Sequence, residues 1–156
     1  MDVKYINPFV AASKKVLEQL IGFEPDVEAP RLMENTISGN DIVVMVGLTG
    51  EIKGQVMFTM EESTAIKMVR KMTYNDAVNE LDFIGQSAVS EIANMISGST
   101  GMIMYETGIT IDITPPSLCR GEGLMISSKN KFVTVPLDLN EIGKIYMNIS
   151  FEEIKR

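Results

Sequence analysis

Three polar residues, Ser87, Glu91 and Asn94, are spaced so that a helix brings them to one side. At about 100° of turn per residue they share an arc of roughly 60°. A hydroxyl, a carboxylate and an amide on one face bind and orient by hydrogen bonding and charge. Nucleophilic chemistry of the usual kinds is excluded. The chain has no histidine, and its one cysteine, Cys119, has no partner for an internal disulfide. That removes Ser-His-Asp and Cys-His catalysis and any ordinary zinc site.

The helix that carries the trio is predicted from about Glu80 to Ser97. Leu81, Ile84, Ala88, Ile92 and Met95 form its apolar stripe, about 110° from the polar arc. Gly98 and Gly101 are expected to loosen or kink it before a further helical stretch to Thr107 and Gly108. Upstream, Asn7-Pro8 reads as a cap followed by a first-turn proline, opening a helix that runs to Gly22. Pro25 and Pro30 bracket an extended segment around Val27 and Leu32. Ile42 to Val46 and Gln55 to Thr59 read as a hairpin. Thr59-Met60-Glu61-Glu62 fits a capping box for a second helix through Ala65, Ile66, Met68, Val69 and Met72. Ile109 to Thr114 alternates as a strand does, and Pro115-Pro116 ends it. Phe132 to Leu137 and Ile145 to Phe151 read as a second pair of strands around Asn140 to Gly143.

At 156 residues, 45% hydrophobic and 22% charged, the chain is sized and composed for one globular domain, 1–156. A net charge of −7 without a Lys/Arg cluster argues against nucleic acid and against an anionic membrane surface. The N-terminal residues do not read as a secretory signal, and no uncharged apolar run is long enough to span a bilayer, so a cytoplasmic location is expected. The twelve methionines are read as adaptable core filling and Cys119 as a small packed hydrophobe.

An internal repeat organises the chain. At an offset of 86 (Gly108 minus Gly22), Asp26 meets Asp112, Val27 meets Ile113, Pro30 meets Pro116 and Leu32 meets Leu118. At an offset of 89, Gly54-Gln55-Val56-Met57 meets Gly143-Lys144-Ile145-Tyr146. Two halves, approximately 1–73 and 74–156, each a helix followed by strands, predict an α+β fold with pseudo-two-fold symmetry. The same offset takes Ser87, Glu91 and Asn94 onto Met1, Tyr5 and Pro8, so only one polar face survives.

The Ser-x-x-x-Glu-x-x-Asn pattern, with Gly98 four residues later and the Asp112-Ile113-Thr114-Pro115-Pro116 segment beyond it, resembles the signature of the CheC/CheX/FliY chemotaxis phosphatases. A single Glu-x-x-Asn makes it most similar to the CheX-like members. The resemblance implies a CheC-like fold, with a mainly antiparallel sheet packed by long helices. It implies hydrolysis of the aspartyl phosphate of a CheY-type response regulator, with Glu91 and Asn94 catalytic. Asn94 would position the attacking water, and Glu91 would dock to the regulator's active-site Lys; Ser87 is a further candidate for partner contact. No cofactor or metal is expected on this chain, with Mg²⁺ on the partner, and a homodimer is implied. The alternatives are a non-catalytic module that binds a phosphorylated regulator or flagellar-switch component, and a structural protein whose polar helix face only solubilises it.

Overall fold

The computed structural model describes residues 2–154. The first helix, α1 (Val3–Ile21), starts before the Asn7-Pro8 cap expected from sequence. Asp2 caps it instead, its carboxylate accepting from the Lys4 N–H at 3.0 Å, and Pro8 lies inside. The hydrogen bond that Pro8 cannot donate would go to the carbonyl of Lys4, an exposed residue that water can satisfy. Gly22 ends the helix at φ 83°, donating to the Glu18 carbonyl.

Strands β1 (Asp26–Val27) and β2 (Arg31–Leu32) are short. The predicted hairpin is present but longer, as β3 (Thr36–Gly50) and β4 (Ile52–Met60), with Val43 opposite Thr59 and Leu48 opposite Gly54. Helix α2 (Glu62–Thr73) follows. Its predicted capping box is absent: Thr59 is buried in β4, where its hydroxyl accepts from Asn148 Nδ2, and Asp41 of β3 accepts from the Glu62 N–H at 3.0 Å. A strand residue therefore does the capping that a local motif was expected to do.

Helix α3 (Phe83–Glu106) begins at Asp82, which caps the Gly85 N–H at 2.8 Å, and runs unbroken through Gly98 and Gly101. Ile96, Thr100 and Met104 are buried along its inner side, and that packing outweighs the low helix propensity of two glycines. After it come β5 (Ile111–Ile113), β6 (Ser117–Ser127), β7 (Val133–Asp138), a 3-10 turn at Asn140–Ile142, and β8 (Lys144–Glu153). Strand β6 is the element that sequence reading missed. Its run of Arg120, Gly121, Glu122 and Gly123 carries little strand propensity, and it is held by its pairing to β3.

All pairings are antiparallel, in the order β1-β7-β8-β4-β3-β5, with β2 also on β7 and β6 also on β3. The order is unchanged when β1, β2, β3 and β4 are exchanged with β5, β6, β7 and β8. The fold is thus α+β with two pseudo-symmetric halves about the central β4–β8 pair. There Gly54 is obligatory, because a Cβ would stand 2.0 Å from the Ser150 carbonyl oxygen. The main core lies between the sheet and the helices: Ile42, Val44, Val46 and Leu48 of β3 face Phe9, Leu17, Met68, Ile92 and Ile96. A smaller cluster, Ile37, Val43, Met57 and Phe132, closes the opposite face.

Candidate active site

Several contacts fix the start of α3. Besides the Asp82 cap, the Leu81 carbonyl accepts from Gln86 Nε2 at 3.2 Å and from Arg120 of β6 at 3.1 Å. Arg120 also pairs with Glu62 at the start of α2. The helix is thereby tied to both a strand and a neighbouring helix before its polar face begins.

The buried side of α3 comprises Gly85, Val89, Ile92, Ala93, Ile96, Ser97, Thr100 and Met104. This corrects the predicted stripe, since Ile84 is 69% exposed and Ala88 and Met95 lie at the margin. The core accepts small and hydroxylated residues and leaves Phe83 and Ile84 outside, so hydrophobicity alone rotates the apparent stripe. The correction sets Ser87, Glu91 and Asn94 about 160° from the buried side, nearly opposite it.

Ser87 and Glu91 are exposed and Asn94 is half-buried. They come together in one shallow groove of about 410 Å³, lined also by Phe83, Gln86, Ser90, Pro116 and Leu118. Among the described residues, no hydrogen bond or ion pair engages the side chains of Ser87, Glu91 or Asn94, so their polar atoms are free for a partner. The far wall comes from Pro116 and from Leu118, which sits opposite Val44 in the β3–β6 pairing. Pro115-Pro116 does separate β5 from β6, as expected, and Pro116 additionally reaches the groove. Sequence reading missed Phe83, which is 82% exposed. Its signal was present: it stands one helical turn before Ser87 in the same phase.

A carboxylate and an amide one turn apart on an open groove can seat a cationic side chain and a water side by side. Among the described residues, no group of three or more His, Cys, Asp or Glu side chains could hold a metal ion. Cys119 is exposed on β6, contrary to its expected packing. A larger cleft of about 660 Å³ opens near Gly22 and Tyr74, but two of its cations are already engaged. Lys67 donates to the Glu141 carbonyl and Arg70 to the Val78 carbonyl.

On the α1 side, Tyr5 and Pro8, the symmetry counterparts of Glu91 and Asn94, are buried, and the Tyr5 ring meets Phe151 edge-on at 5.4 Å. Met1 lies outside the described residues. Lys4, Asn7, Pro8 and Ala11 of α1 do line a groove of about 490 Å³, but Tyr5 and Pro8 give it no carboxylate–amide pair at the counterpart positions.

The family model "Chemotaxis phosphatase CheX" matches residues 42–138, a span that includes the groove-bearing part of α3 and the Pro116 and Leu118 wall. The chain belongs to the CheX family. One CheX-family relative, "CheY-P phosphatase CheX" of Thermotoga maritima, is 28% identical over 139 residues, covering 89% of this chain and 90% of the relative. Among solved structures, a CheC-like superfamily protein from Shewanella sp. PV-4 superposes with a TM-score of 0.86 at 26% identity, covering 97% of this chain and 99% of that one. A chain of the CheX–CheY–BeF3–Mg²⁺ complex from Borrelia burgdorferi gives a TM-score of 0.83 at 28% identity, covering 97% and 100%. Among the described residues, no helix is long and apolar enough to cross a membrane.

Proposed function

We propose that this CheX-family chain hydrolyses the aspartyl phosphate of a phosphorylated CheY-type response regulator. The observation that carries the reading is the pairing of Glu91 and Asn94, without internal partners, in an open groove on a rigidly anchored helix. The Thermotoga relative is named for activity on CheY-P, and the Borrelia relative was solved with CheY.

An acyl phosphate needs neither a covalent intermediate nor a strong base for hydrolysis. It needs a water held in line with phosphorus and a balance for the charge on the phosphoryl oxygens. The Asn94 amide can accept from and donate to that water, fixing both its place and its orientation. Glu91, one turn earlier, pairs with the regulator's active-site Lys and sets the depth of docking. Ser87, a further turn back, touches the partner at the groove's edge. The charge balance is supplied by the Lys and Mg²⁺ of the regulator, and this chain contributes no cofactor of its own. Such a partner implies action in the cytoplasm.

Strand β6 pairs with β3 along one edge and, among the described residues, has no strand on its other edge. We read that free edge as the seam of a homodimer, since an unpaired 11-residue strand otherwise presents open backbone donors and acceptors. Sedimentation at micromolar concentration checks it; a monomer throughout would refute the seam without touching the catalytic assignment.

The test of function is loss of phosphate from a phosphorylated CheY-type regulator with Mg²⁺, with and without the chain. Acceleration by wild type is expected. Glu91→Ala is expected to raise KM about tenfold or more, the scale of one lost charge-assisted contact. Binding without acceleration by the wild-type chain would instead establish a sequestering module.

A further inference from the structure

Most glycines in this fold answer to the chain's own needs. A Cβ at Gly47, Gly54 or Gly143 would stand within 3.0 Å of a neighbouring atom, and Gly22, Gly50 and Gly108 hold positive φ angles. Gly98 and Gly101 do neither. Both lie inside an unbroken helix with ordinary helical backbone. A Cβ on Gly98 would meet nothing within 4 Å, and one on Gly101 would meet only Ile111 Cγ1 at 3.8 Å, an ordinary contact. Glycine is among the worst helix formers, so each carries a stability cost that nothing inside the chain requires.

Their position supplies a reason. At about 100° per residue, Gly98 and Gly101 fall on the same side of α3 as Asn94, one and two turns beyond it. The missing side chains open a groove of about 590 Å³ against β5. Ser97 lines that groove, and its fully buried hydroxyl is the one buried side-chain polar atom without a hydrogen-bond partner among the described residues. Tyr105, 73% exposed, stands at the far end as Phe83 does at the near end. The two grooves thus follow one another along the same helix, with exposed aromatics at both ends.

We infer that Gly98 and Gly101 form a Cβ-free floor on which a main-chain segment of the phosphorylated receiver domain lies while its phosphoaspartate is presented to Asn94. The inference rests on the docking of that receiver to α3. Only backbone-to-backbone approach makes use of two adjacent gaps of this size, because any side-chain partner could pack equally well on alanine.

Gly98→Ala and Gly98→Leu test it, both being good helix formers in open space. The alanine variant is expected to melt about 2–4 °C above wild type, the scale of replacing one helical glycine in a chain of this size. Against a phosphorylated CheY-type regulator with Mg²⁺, KM should rise about tenfold for Ala and further for Leu, while kcat at saturation changes little. Kd for the beryllofluoride-activated regulator should rise in step. Raised Tm with unchanged KM and Kd would overturn the inference, and so would a lowered Tm, which would show that the fold itself needs the glycine. A wild-type chain that neither hydrolyses nor binds the regulator refutes the parent reading, and this one with it.

Discussion

Replacing Asn94 by alanine should separate chemistry from folding. The side chain is half-buried and engages no hydrogen bond within the described residues, so its removal strands no donor or acceptor. Alanine is favoured over asparagine in a helix by about 0.6 kcal/mol, which roughly offsets the packing that the shorter side chain gives up, and Tm should stay within about 2 °C of wild type. Turnover should behave differently. If the amide orients the attacking water, its loss is comparable to that of one preorganised donor, about 10²–10³ in kcat, or about 2.7–4 kcal/mol of barrier. Asn94→Gln keeps the amide but moves it by a methylene, and a misplacement of that order should still cost about 10². The assay is phosphate release from a phosphorylated CheY-type regulator at saturating enzyme, followed beside thermal unfolding and binding to the beryllofluoride form. Turnover of Asn94→Ala within about threefold of wild type would refute the assignment of the water to this residue.

Two further predictions concern the frame that holds the groove. Asn148 is buried at the sheet centre, donating to the Met57 carbonyl at 2.9 Å and to Thr59 Oγ1 while accepting from Thr134 Oγ1 at 2.7 Å. Asn148→Leu orphans these groups and should lower stability by about 3 kcal/mol in chemical denaturation, with the m-value unchanged. At the rim, Lys144 donates to Glu28 at 2.7 Å. That hydrogen bond, outweighing partial burial, raises the ammonium pKa above its ordinary 10.5. Because the folded value is the higher one, the pair's contribution is complete below pH 10.5 and is lost as pH rises through the raised pKa. Lys144→Met should therefore lower Tm slightly at neutral pH and flatten the alkaline limb of a Tm-against-pH curve, so that variant and wild type converge once pH passes the raised pKa.

Much of the fold was legible where a local period decided it. Helices α1 and α3, the β3–β4 hairpin and the β7–β8 pair all follow from apolar spacing between punctuating residues. The errors fall where a competing cap or a distant contact overrides the local signal. Asn7-Pro8 mimics a helix start, yet α1 begins earlier because Asp2 supplies a cap. Thr59 and Glu62 mimic a capping box, yet Asp41 caps α2 from across the fold. Strand β6, with Gly and charge in its middle, exists because β3 offers it a ladder. The groove divides in the same way. Ser87, Glu91 and Asn94 are related by helical phase and can be grouped from the sequence, whereas the wall of Pro116 and Leu118 depends on the β3–β6 register.

The burial of Tyr5 and Pro8 has a bearing on valency. A fold with two-fold internal symmetry is bivalent by default, but here the mirror positions of Glu91 and Asn94 carry Tyr5 and Pro8, which offer neither carboxylate nor amide. No single substitution on α1 restores the pair, because both positions differ and removing Tyr5 takes away the ring that packs on Phe151 and leaves a void. Titration calorimetry with an activated regulator should accordingly saturate at one regulator per chain. Gathering two regulators at once would then take two copies of the chain.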